Sequence, residues 1–115
     1  MMNTSELLHD AQLSVMRALL GEITPDMRAV TVEVNARHIT VRVYHEGMAS
    51  EEAWEDFDAA MTDVFADFHH DGPEAVTIDY RFIRTDAPAQ VPGLGLPVFA
   101  RKGTQFREWT SGDPF

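Results

Sequence analysis

Apolar residues recur at helical spacing between Ser50 and Phe68. On a wheel of about 100° per residue, Ala53, Trp54, Phe57, Ala60, Met61, Val64, Phe65 and Phe68 fall on one side. Glu51, Glu52, Glu55, Asp56, Asp58, Asp63 and Asp67 fall on the other. Ser50 stands where an N-cap hydroxyl is needed, and Glu51 and Glu52 lie in the first turn, where carboxylates meet the positive helix end. His69, His70, Asp71, Gly72 and Pro73 end the helix, since Gly-Pro does not continue one.

A shorter helix is predicted over Ser5 to Leu20, capped by Thr4 or Ser5 and closed by Gly21. Its inner stripe is read as Leu8, Ala11, Val15, Met16 and Leu19, widened by Leu13 and Leu20, with Asp10, Ser14 and Arg17 outward. The widened stripe suits contact with a sheet and a neighbouring helix, or with a second copy of the chain.

Strict alternation then replaces the helical period. Val30, Val32 and Val34 alternate with Thr31, Glu33 and Asn35, and Ile39, Val41 and Val43 alternate with Thr40, Arg42 and Tyr44. A turn over Asn35 to His38 makes these a hairpin. Val34 facing Ile39, Val32 facing Val41 and Val30 facing Val43 is the register that puts all six apolar residues on one face. Glu33 and Arg42 can then pair across the other face. Ala75 to Arg84 reads as a third strand with Val76, Ile78, Tyr80 and Phe82 inward. The Pro/Gly-rich run Thr85 to Pro97 reads as a loop, and Val98 to Lys102 as a fourth strand returning beside the third.

The predicted fold is therefore α+β and two-layered, in the order αββαββ. Two helices pack on one face of a four-stranded, mostly antiparallel sheet, and the other sheet face is polar. Val30, Val32, Val34, Ile39, Val41, Val43, Val76 and Ile78 form the sheet side of the expected core. Leu8, Val15, Leu19, Trp54, Phe57, Met61, Val64 and Phe65 form its helix side. Residues 1–103 are read as one α/β domain and 104–115 as a C-terminal tail. In that tail, Phe106 and Trp109 either dock back on the domain or meet a partner.

Charge changes the picture of the long helix. No Lys or Arg occurs from Val43 to Tyr80, so its acids have no basic partner one turn away. The whole chain carries a formal charge of −10, which repels nucleic acid and anionic lipid and attracts a basic protein. Glu51, Glu52, Glu55, Asp58 and Asp63 are the expected partner-binding residues, centred on Glu55 and Asp58.

Catalytic chemistry finds no support. Gly93 and Gly95 lack the lysine and following helix of a phosphate cradle, the serines occupy no nucleophile turn, and no calcium-loop spacing is present. With no cysteine there is neither a disulfide nor a thiolate metal site. The adjacent His69 and His70 point about 100° apart on a helix, which does not suit one ion. The expectation is a non-enzymatic protein without cofactor or metal. It is expected to be cytoplasmic, since no apolar run is long enough to span a bilayer.

The runs LLGEITPDMRAVTVEV at 19–34, ITVRVYHEGMASEE at 39–52, VFADF at 64–68, IDYRFIRTDAP at 78–88 and VFARKG at 98–103 resemble the small immunity proteins of contact-dependent growth inhibition systems. The resemblance covers about residues 5 to 103. It implies a two-layer αββαββ domain that binds and neutralises the C-terminal domain of a bacterial toxin, often a nuclease. Here the toxin domain is expected to be basic. The alternative is a small acidic interaction or homo-oligomeric domain with no toxin partner.

Overall fold

The computed structural model describes residues 3–107. Its elements are α1 (Thr4–Ala18), β1 (Met27–Asn35), β2 (His38–His45), α2 (Glu51–Ala66), β3 (Thr77–Arg84) and β4 (Leu96–Ala100). The αββαββ order stands. Asn3 rather than Thr4 or Ser5 caps α1, its side chain accepting from the Glu6 N–H at 2.8 Å. Ser50 caps α2, its hydroxyl accepting from Ala53 N–H at 3.0 Å.

The hairpin has the register that the valine pattern predicts, with Val30 opposite Val43, Val32 opposite Val41 and Val34 opposite Ile39. One residue of slip would turn every valine to the wrong face. The tight turn passes through Ala36 at φ 55, a left-handed conformation unusual for alanine. Arg42 pairs with Glu33 at 3.0 Å, also as expected.

The sheet order is β3-β2-β1-β4. β1 runs antiparallel to both β2 and β4, and β3 runs parallel to β2. A parallel neighbour requires a crossover, and α2 supplies it. The fourth strand does not return beside the third. It lies on the opposite edge, against β1, because the segment after β3 crosses the whole back of the sheet.

Both helices pack on one sheet face. Leu7, Ala11 and Val15 of α1 and Phe57, Ala60, Met61 and Val64 of α2 are buried against Val30, Val32, Ile39, Val41, Val43 and Val76. Leu8, Val34 and Ile78 are only partly buried at the margin of this core. The inner stripe of α1 is rotated from the expected one: Ser14 is buried and Met16, Leu13 and Leu20 are exposed. Ser14 goes inside because its hydroxyl donates to Asp67 across the helix pair at 2.5 Å. Its small size, with that of Ala11, lets the helices approach. Trp54 and Phe65, expected in the core, are 41% and 47% exposed, since they overhang β3 where the sheet ends.

The second sheet face is not simply polar. Residues 85–95 form a strap across it. Val91 is buried against Ala29 and Tyr44, with Ile83 and Phe106 packed beside them. Val91 N–H donates to Gln105 O and Arg107 N–H donates to Val91 O, which draws Phe106 onto the strap. Phe106 therefore docks, whereas Trp109 lies outside the described residues. Arg28, 4% exposed, holds the strap from below: its Nη1 donates to Thr85 O at 2.9 Å and Ala89 O at 2.6 Å. Arg28 O accepts from Arg101 N–H and from the Thr104 hydroxyl.

Candidate partner-binding surface

All five expected partner-binding residues, Glu51, Glu52, Glu55, Asp58 and Asp63, are exposed on α2. The helical period sorts them into two rows. Glu51, Glu55 and Asp58 share the side that overlooks β3, where Asp58, Thr62 and Phe65 border a hollow floored by Ile78 and Tyr80. Glu52 and Asp63 share the side toward α1, where Asp63 and Asp67 border a second hollow with Ser14 and Arg17. The surface is thus two acidic ridges rather than one face.

The ridges differ in how much of their charge is already used. Asp67 takes the Ser14 hydroxyl and lies 3.5 Å from the Arg17 guanidinium, so its neutralising group comes from the other helix rather than its own. Asp58 accepts a hydrogen bond from the Tyr80 hydroxyl. Glu51, Glu52, Glu55, Asp56 and Asp63 make no hydrogen bond or ion pair with any described residue. Exposed and uncompensated, they are free to meet a cationic group.

Aromatic residues that the periodicity placed in the core contribute to this surface. Trp54 packs against Phe82 at a centroid separation of 4.3 Å and against Tyr80 at 6.0 Å. Phe65 stacks on the His70 ring at 3.4 Å, and the two nitrogens of that ring face Val76 O and Phe65 O. Aromatic side chains are enriched at protein interfaces, whereas carboxylates act from the rim by steering the encounter. No sequence signal marked them as surface, because an aromatic at a helical a or d position reads as core until the neighbouring strand proves to be the last one.

Burial, then the hydrogen bond to Asp58 and its negative charge, push the Tyr80 hydroxyl up to about 12. Burial likewise raises Tyr44 above the ordinary phenol value. The Tyr80 shift favours the neutral phenol in the fold, so its stabilisation is complete below pH 10 and is lost as pH rises toward 12. Absorbance titration near 295 nm is expected to show no tyrosine ionising at the usual midpoint. Asp58→Asn is expected to lower the Tyr80 step only in part, since burial, the largest cause of the shift, remains. An unchanged step would mean that the bond to Asp58 does not form in solution.

A larger groove, about 740 Å³, runs beside α1 and is bordered by Glu6, Asp10, Arg17, Arg37, Asp67 and Glu74 among others. Its cations are engaged: Arg37 donates to Ala75 O and Glu74 O, and Arg17 faces Asp67. Across the molecule a further set of contacts ties the end of β2 to the strap. Asp86 accepts from Gly47 N–H at 2.7 Å and pairs with Arg84, and Glu46 takes Arg101 and Ala87 N–H. The Arg84 hydrogen bond holds Asp86 below the usual carboxylate range, and the Arg101 hydrogen bond does the same for Glu46. These acids serve structure.

On the second sheet face Tyr44 is buried beneath the Val91 strap and lines no open pocket. No group of three or more His, Asp or Glu side chains able to hold a metal occurs among the described residues. None of the described helices is long and apolar enough to cross a membrane. The sequence matches the family described as MafI2 immunity protein over residues 9–103. No curated protein matches it.

Proposed function

Because the chain belongs to the MafI2 immunity protein family, we propose that it binds a cognate toxin domain and neutralises it stoichiometrically, as an inhibitor rather than an enzyme. The observation that carries this reading beyond family membership is the set of uncompensated carboxylates on one helix: Glu51, Glu52, Glu55 and Asp63 face solvent and form no ion pair with any described residue. With the overall charge of −10, they suit a basic partner, and a toxin that acts on nucleic acid presents such a surface in its phosphate-binding groove. Steering of this kind speeds association and is screened over about 8 Å at physiological ionic strength. A nuclease toxin, delivery by cell contact and action in the cytoplasm are finer parts of the same proposal.

The test uses the toxin domain encoded by the adjoining gene. Its expression alone should arrest growth, and co-expression with this chain should restore it. Purified toxin activity should fall linearly to zero at one chain per toxin. Protection at strongly substoichiometric amounts would mean turnover and would remove the inhibitor reading.

A homo-oligomer is the second reading, and Leu13, Met16 and Leu20 favour it, being exposed on one side of α1 and its C-terminal turn. Other apolar side chains near the surface are engaged within the fold: Ile83 and Phe106 pack on the strap cluster and Phe99 on the main core. A solution mass that rises with concentration would bring this reading forward.

A further inference from the structure

β3 is an edge strand, bonded only to β2. Its ladder is parallel, with Thr77 N–H donating to Arg37 O and Thr85 N–H to His45 O. In a parallel ladder, alternate residues turn both N–H and C=O to the partner. Thr77, Asp79, Arg81 and Ile83 therefore face β2, and Ile78, Tyr80, Phe82 and Arg84 turn their N–H and C=O outward. No described residue pairs with those outward groups.

Proteins usually blunt such an edge with proline, a bulge, charged side chains or a very short strand. β4, the opposite edge, is blunted in that way, with five residues, Pro97 and a register shift in its pairing. β3 has eight residues, no proline and an unbroken register from Thr77 to Arg84, and its charges are neutralised locally, Asp79 by Arg81 and Arg84 by Asp86. It is the edge left open.

The open edge also lies under the uncompensated ridge of α2. A strand added at about 4.8 Å from β3 would put every second side chain on the helix side, beside Trp54 and Tyr80 and below Glu51 and Glu55. We propose that the toxin domain docks by adding an extended segment to the β3 edge, with basic side chains at alternate positions reaching the Glu51–Glu55 ridge. This rests on the immunity reading and specifies where and how the partner is held. Main-chain hydrogen bonds supply affinity and the alternate basic side chains supply selection. A second copy of this chain fits the edge poorly, since pairing two β3 strands would bring two Glu51–Glu55 ridges over one seam between chains of charge −10.

The test is residue-resolved amide exchange of the full chain, alone and bound to the toxin domain encoded by the adjoining gene. The expected result is that the outward amides of Tyr80 and Phe82 slow by more than about tenfold in the complex. The double substitution Glu51→Lys with Glu55→Lys should weaken binding by about tenfold or more while lowering the thermal midpoint by only a few degrees, since neither side chain has an ion-pair partner in the fold and only the first-turn placement of Glu51 is lost. A neutralising complex in which those amides exchange as before overturns edge docking and leaves the immunity reading intact. Failure to form any complex overturns both. Protection of Tyr80 and Phe82 that grows with the concentration of the chain alone gives the edge to a second copy and overturns the proposal.

Discussion

Gly95→Ala is expected to lower the thermal midpoint by roughly 10 °C, an effect of about 2–4 kcal/mol. Gly95 stands immediately before β4 at φ +73, and a Cβ built there would lie 2.6 Å from Val32 O and 3.2 Å from Glu33 Cβ. The near atom is main chain of the neighbouring strand, so no side-chain rotation relieves the clash. β4 must move off β1, which loosens Val98 and Phe99 from the core margin. The left-handed φ adds about 1 kcal/mol for any residue with a Cβ. Against a total stability of about 5–15 kcal/mol, this is a large fraction. Calorimetry together with amide exchange over β4 checks it, and a shift of only a degree or two would mean that β4 is not seated in this register.

Arg28→Met is expected to cost about 2–4 kcal/mol and to release the strap. Hydrogen bonds from a charged donor are worth roughly 1.5–3 kcal/mol each, and Arg28 makes two, to Thr85 O and Ala89 O. Relief of the buried charge offsets part of that loss. Its Nε has no acceptor, so the site is held by Nη1. The distinguishing readout is Tyr44, whose elevation comes first from burial in the cluster with Val91 and Phe106. Lifting the strap should return Tyr44 toward the ordinary phenol value, which an absorbance titration follows in a Tyr80→Phe background. A fall in stability with Tyr44 unmoved would place the loss elsewhere than in the strap.

These two positions also show where reading the chain alone falls short. Gly95 looks like loop flexibility, because its requirement comes from a strand some sixty residues earlier in the chain. Arg28 lies just ahead of the alternating valines, and nothing in its sequence neighbours marks it as buried. Its burial depends on a strap that only the β4 pairing brings overhead. The same cause misplaced Trp54 and Phe65: hydrophobic period identifies the side of a helix, but not how far the sheet beneath it extends.

The candidate surface divides in the same manner. That Glu51, Glu55 and Asp63 would be exposed and uncompensated was legible, because local spacing determines which side of a helix faces outward and no basic residue stands within a turn. Asp67 was misread, since its partners Ser14 and Arg17 come from α1. Asp58 was read as free and is engaged by Tyr80 from β3. Long-range partners leave no periodic trace.

By itself, then, the sequence determined the element order, the hairpin register and the acidity of α2, because each follows from side-chain period and charge within one segment. Only the tertiary structure decided the strand order, the strap over the second sheet face and the open β3 edge beneath the acidic ridge. Those depend on which segments come together from far apart in the chain, and that is settled by burying the whole core at once rather than by any local pattern.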